Sequence, residues 1–183
     1  MEEIRLRITI LIGSPRKDGN TELLAQAFAK GAQKNNQVTI ISVSDHNVLP
    51  CIGCNSCYHS DGNRCFQQDD MSVIYSRLLE TDMLVIASPV YFYGISAQLK
   101  TVIDRLHTPM RDKFAIKKAA LLLVGAADLP EMFDAVLTQY DLTLKFFGIV
   151  DMGNVLVRGV REKGDINGNK ALNDAFDLGA SVK

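Results

Sequence analysis

Five short apolar runs rich in β-branched residues, alternating with stretches of helical periodicity, constrain this chain more than any other feature. The runs cover residues 6–12, 38–43, 83–87, 119–124 and 149–157. Hydrophobicity that is continuous along a run, rather than alternating, marks a strand buried on both faces, as in a parallel sheet covered by helices. The covering helices are legible as apolar stripes: Leu23, Leu24, Ala27, Phe28 and Gly31; Val73, Ile74, Leu78 and Leu79; Ile95, Leu99, Val102, Ile103 and Leu106; Phe133, Val136, Leu137, Tyr140, Leu144 and Phe147. A short final helix is expected over 171–178. Ser96 is the expected cap of the third helix, and Gly148 is a natural stop for the fourth.

This alternation predicts an α/β fold, a doubly wound five-stranded parallel sheet with helices on both faces and strand order 2-1-3-4-5, the flavodoxin-like arrangement. The 183 residues suit a single domain spanning 1–183. Within it, residues 44–68 are too long for an ordinary connection and read as an insertion that carries function. A net charge of -1 gives no reason to expect nucleic acid or an anionic membrane as partner. The start, Met1-Glu2-Glu3-Ile4-Arg5, runs into the first strand without a basic leader, which predicts a cytoplasmic protein.

In such an order, ligands bind at the carboxyl ends of the strands, where the loops after the first and third strands flank the switch point. The first loop is Gly13-Ser14-Pro15-Arg16-Lys17-Asp18-Gly19-Asn20-Thr21. It has neither the Gly-x-x-x-x-Gly-Lys-Ser/Thr of triphosphate sites nor the Gly-x-Gly-x-x-Gly of dinucleotide sites. Short donors at Ser14, Asn20 and Thr21, a guanidinium at Arg16 and a following helix N-terminus suit a single terminal phosphate. The plain alternative is a polar turn with Asn20 or Thr21 as helix cap. The second loop, Ser88-Pro89-Val90-Tyr91-Phe92-Tyr93-Gly94, offers planar apolar surface. A monophosphate beside a planar ring describes FMN.

All four cysteines lie in the insertion, spaced Cys51-x-x-Cys54-x-x-Cys57 and then Cys65. In a reducing compartment they point to metal, redox chemistry or core filling rather than structural disulfides. Three plus one is the habit of [4Fe–4S] ligation, whereas structural zinc sites usually present two close pairs. A cluster, zinc and metal-free thiols all remain open on spacing alone.

Gly13-Ser14-Pro15-Arg16 with Gly19-Asn20-Thr21, then Ser88-Pro89-Val90-Tyr91 and Gly94, resembles the NADPH-dependent FMN reductase family of flavodoxin-like proteins. The cysteine pattern, with the following Asp69-Asp70-Met71, resembles its iron–sulfur flavoprotein branch. The resemblance implies that Ser14, Arg16, Asn20 and Thr21 hold the FMN phosphate, and that Pro89, Val90, Tyr91, Phe92, Tyr93 and Gly94 border the isoalloxazine. It implies a homodimer or homotetramer, with the cysteine loop near a neighbouring subunit's flavin. Where family members often carry Gly-Gly or Ser-Gly after the fourth strand, this chain has Gly125-Ala126-Ala127-Asp128.

The expected function is an FMN-dependent oxidoreductase or electron-transfer flavoprotein passing electrons between a [4Fe–4S] cluster on Cys51, Cys54, Cys57 and Cys65 and the flavin. Its partners would be a small-molecule or protein electron donor and acceptor. Without a cluster, an NAD(P)H-dependent FMN or quinone reductase is expected instead; a non-enzymatic flavin-binding redox sensor is the third possibility. His46 and His59 read as ordinary loop histidines, His107 as a cation at a helix end, and Lys100, Asp104 and Arg105 as a solvated helix face.

Overall fold

The computed structural model describes residues 5–183; Met1 to Ile4, part of the leader reading, lie outside them. Strands β1 (Arg7–Ile12), β2 (Gln37–Ser42), β3 (Met83–Tyr91), β5 (Lys118–Val124) and β6 (Val150–Val157) run parallel in the order β2-β1-β3-β5-β6. A two-residue strand, β4 (Gly94–Ile95), pairs antiparallel with the end of β3. Helices α1 (Asn20–Ala32) and α5 (Ala171–Ala180) cover one face; α2 (Met71–Leu78), α3 (Ala97–Arg105) and α4 (Asp134–Phe147) cover the other. The expected order is therefore observed, with one short strand added off the main path.

Strand geometry explains the double burial. Ile8, Ile10 and Ile12 of β1 point to the α1/α5 layer, with Phe28 and Ala175, while Leu11 points to the layer holding Ile74, Leu99 and Phe133. The same alternation separates Met83 and Val85 from Leu84 and Ile86 in β3. Thr9, the polar exception in β1, is buried but satisfied by a 2.6 Å hydrogen bond between its hydroxyl and that of Thr81.

Several boundaries move, and one move matters for function. The third strand does not stop at Ala87: it continues through Ser88, Pro89 and Val90 to Tyr91, then turns at Phe92-Tyr93 into β4. Tyr91 pairs with Gly94 and Val90 with Ile95, while Phe92 and Tyr93 take φ of 49° and 63°. Two positive φ angles in a two-residue hairpin are the primed-turn pattern that matches strand twist, usually filled by Asn-Gly. The expected aromatic loop is thus a strand end and a hairpin tip. Ser96 caps α3 as expected, accepting from Leu99 N at 3.4 Å, and Gly148 stops α4 with φ of 64°.

The 44–68 insertion contains only single 3-10 turns, at Val43–Asp45, Ser56–Tyr58 and Asp61–Asn63. Among the described residues no helix is long and apolar enough to cross a membrane.

Candidate active site

The carboxyl ends of β1 and β3 meet the start of α3 at Gly13. Its N–H donates to Ala87 O at 2.8 Å, and a Cβ there would lie 2.6 Å from Ser96 Oγ and 2.7 Å from Leu99 Cβ. Only glycine lets the first loop approach the third this closely. Ser88 Oγ in turn accepts from Ser96 N at 3.0 Å, so β3, α3 and the first loop share one joint.

Within the first loop, Arg16 N donates to Ser14 Oγ at 3.2 Å and Gly19 N to Arg16 O at 3.1 Å, which folds the loop back on itself. Asp18, at φ of 50°, turns the chain into the helix, where Gly19 is the N-cap. Glycine has no side chain with which to cap, and among the described residues no side chain caps α1. Neither Asn20 nor Thr21 is the cap, so the polar-turn alternative loses its capping residue. A thirteen-residue helix therefore opens uncapped at the switch point, where free N–H groups and the helix dipole favour an anion.

Ser14, Arg16, Asn20, Thr21, Pro89, Val90 and Tyr91 line one cavity. Phe92, Tyr93 and Gly94 are not among its walls: Phe92 and Tyr93 form the hairpin turn and Gly94 begins β4, with Phe92 fully exposed. One wall, in the loop after β6, was not singled out from the sequence, while the loop after β5 was noted for departing from the family's Gly-Gly or Ser-Gly. Ala126 closes the far side from the loop after β5, and Val160 and Arg161 close it from the loop after β6. That last loop is tied in by Asn20, whose Nδ2 donates to Glu162 O at 2.8 Å and whose Oδ1 accepts from Gly164 N at 3.0 Å. Arg16 Nη1 donates to Arg161 O at 3.1 Å. Arg16 and Arg161 thus both line the cavity, beside Asn20 and Thr21 at the start of α1. These residues fit the terminal phosphate of FMN. The only signal for the 160s loop was its position at a strand's carboxyl end.

The cysteines behave differently. All four are free, Cys51 and Cys54 exposed and Cys57 and Cys65 partly covered. Among the described residues, no three of the Cys, His, Asp and Glu side chains lie together as a metal-ligand set. The folded segment thus does not present four gathered thiols, and it does not fit a cluster as it stands. The hydroxyl and N–H of Ser56 pull the Cys54 thiol below the ordinary thiol range.

Arg105 corrects another expectation. Lys100 and Asp104 do pair on the solvated face of α3, but Arg105 is buried and ion-paired with Asp69. Burial opposes ionisation of Asp69, yet the Arg105 hydrogen bond, Leu49 N–H, the Arg105 charge and Met71 N–H together hold its carboxyl below the usual carboxylate range. His107 lies beside Phe146, with ring centroids 5.5 Å apart.

Fold and cavity together define a flavodoxin-like protein with a cleft at the switch point of its sheet. Residues 6–157 match the NADPH-dependent FMN reductase family, to which the chain belongs. It is 38% identical over 125 residues to an iron-sulfur flavoprotein of Methanocaldococcus jannaschii, a match covering 67% of this chain and 63% of that protein. It is 30% identical over 178 residues to an iron-sulfur flavoprotein of Archaeoglobus fulgidus, covering 94% of this chain and 76% of the relative. Among solved structures, the Trp repressor binding protein from Bacillus subtilis superposes with a TM-score of 0.69 at 28% identity, covering 93% of this chain and 99% of that one.

Proposed function

We propose that the protein is an FMN-dependent oxidoreductase that binds the flavin phosphate in the cleft of Ser14, Arg16, Thr21 and Arg161. The observation that carries this reading is the uncapped N-terminus of α1 opening into a cavity that also holds Arg16 and Arg161. Family membership supports the choice of FMN. When bound, the flavin supplies reversible hydride and single-electron chemistry. The chain's own part is to hold and orient. Arg16 and the α1 amides fix the phosphate, Pro89, Val90 and Tyr91 form the wall along which a planar ring lies, and Ala126 and Val160 limit it on the far side.

Turnover tests the enzymatic half of this reading. FMN-loaded protein is expected to oxidise NADH or NADPH, or a reduced protein carrier, with a quinone or free flavin as acceptor. Tight FMN binding without any such turnover would leave a redox sensor.

A finer reading assigns a [4Fe–4S] cluster to Cys51, Cys54, Cys57 and Cys65, with FMN as its exchange partner. The spacing and the names of the two archaeal relatives support it. Against it stands the ungathered state of the thiols, which favours the cluster-free NAD(P)H-dependent reductase. Metal binding can itself fold a ligand loop, and the hydrogen bonds within 51–64 are local, such as Tyr58 N to Asn55 O at 3.0 Å. Iron and acid-labile sulfide in anaerobically purified protein would establish the cluster. Their absence after anaerobic reconstitution would leave the cluster-free enzyme. The proposal extends to a homodimer or homotetramer, supported by Leu142 and Phe146 of α4, which are 60% and 55% exposed.

A further inference from the structure

The cysteine segment leaves and rejoins the fold through a neck made by residues 47–50 and 67–70. At its base, Asp70 N donates to Asn47 O at 3.1 Å and Asn47 N donates back to Asp70 Oδ2 at 2.7 Å. Higher up, Leu49 N donates to Asp69 Oδ2 at 2.8 Å, and Leu49 O accepts from Arg105 Nη1 at 3.1 Å. The same Arg105 nitrogen is paired with the same Asp69 oxygen. At the top, the Gln67 side-chain amide nitrogen lies 3.3 Å from Pro50 O and 3.9 Å from Cys65 Sγ. Cys51 is the next residue after Pro50. One amide therefore sits between the points where the first and fourth cysteines emerge.

The pair is almost sealed from water, with side-chain exposures of 3% for Arg105 and 1% for Asp69. Tyr75, its hydroxyl pushed up to about 12 chiefly by burial, stays a neutral donor and bonds Arg105 O at 2.6 Å. A sealed ion pair is a poor device for stability alone, because well-packed apolar residues serve as well, but it specifies one geometry. Arg105 ends α3, a nine-residue helix whose other end begins at Ser96, against Ser88 and Gly13. One short rigid element thus connects the cofactor cleft to the neck.

We propose that Asp69, Arg105 and Gln67 are positioning residues that pin the two ends of the cysteine segment together, in fixed register with the cofactor cleft through α3. Cys51 and Cys65 then stay neighbours whatever residues 52–64 do. The pin is a matter of geometry, and its bearing on electron transfer rests on the redox role proposed above for the cysteines.

The test uses FMN-loaded protein in which Cys54→Ser and Cys57→Ser leave only Cys51 and Cys65. In a glutathione buffer the two thiols lose two protons and two electrons to form one disulfide, while one glutathione disulfide is reduced to two glutathiones. The equilibrium constant is the effective concentration of the pair. Asp69→Asn is expected to lower it about tenfold or more, and Gln67→Ala, which leaves the ion pair intact, about threefold. FMN affinity should be unchanged in the Gln67 variant. Values within about twofold of the parent in both variants overturn the pin. If Asp69→Asn does not fold, an unchanged value in Gln67→Ala overturns it alone. Iron analysis of the unsubstituted protein reads the cluster separately: no iron together with a lowered effective concentration removes the cluster and keeps the pin.

Discussion

Asn20 Nδ2 donates to Glu162 O at 2.8 Å, so the first residue of α1 is fastened to a loop 142 residues further along the chain. Its Oδ1 meanwhile takes Gly164 N and Ile166 N, at 3.0 and 3.3 Å. Asn20 is buried at the wall of the cleft, and its amide spends both ends on scaffolding. Asn20→Ala would leave those partners unsatisfied, at about 1–3 kcal/mol. The expected result is a lower urea midpoint and weaker FMN binding together, because Val160 and Arg161 lose their support.

Arg16 is different, since among the described residues its side chain makes one hydrogen bond, to Arg161 O. Arg16→Ala should weaken FMN binding about 10- to 100-fold, the scale of one charge-assisted hydrogen bond. Thermal stability should barely change. Riboflavin, which lacks the phosphate, should bind this variant as it binds the wild type.

Away from the cleft, α1 and α5 cross at two facing glycines. A Cβ on Gly31 would sit 2.0 Å from Phe176 O, and one on Gly179 2.2 Å from Phe28 O. Backbone cannot move aside as a flexible side chain can. Gly31→Ala should therefore cost about 3 kcal/mol despite alanine's better helix propensity. FMN affinity of the folded fraction should be unaffected, which separates this loss from that of Asn20→Ala.

How far the sequence shows these features depends on how local their causes are. Strand order and the first loop were legible because each depends on residues close together in sequence. Arg105 was misread because its partner, Asp69, lies 36 residues away and helical periodicity cannot show it. The hairpin at Phe92 and Tyr93 was missed because its left-handed backbone is occupied by two aromatics rather than Asn-Gly. The role of the 160s loop is hidden in the sequence because it comes from packing against Asn20 and Arg16, not from composition.

The Asp69–Arg105 pair also sets a pH dependence. Because the folded carboxyl titrates below its unfolded value, its stabilisation is present above about pH 4 and is lost as pH falls through the folded value. Asp82, held down by Arg7 against its own burial, contributes a loss in the same direction. Denaturation curves of wild type and Asp69→Asn isolate the first contribution. Near neutrality the variant should be less stable by about 3–5 kcal/mol. The gap should narrow as the pH drops below about 4. A constant gap down to the acid transition would mean that Asp69 is not the titrating partner.

We propose that the cleft at the switch point is a flavin phosphate site. Its most direct measurement is a fluorescence titration of flavin-free folded protein with FMN and, in parallel, with riboflavin. One FMN per chain is expected, bound about 100-fold or more tighter than riboflavin, since several charge-assisted contacts are made by the phosphate alone. No FMN binding, or equal affinity for the two flavins, would contradict the account.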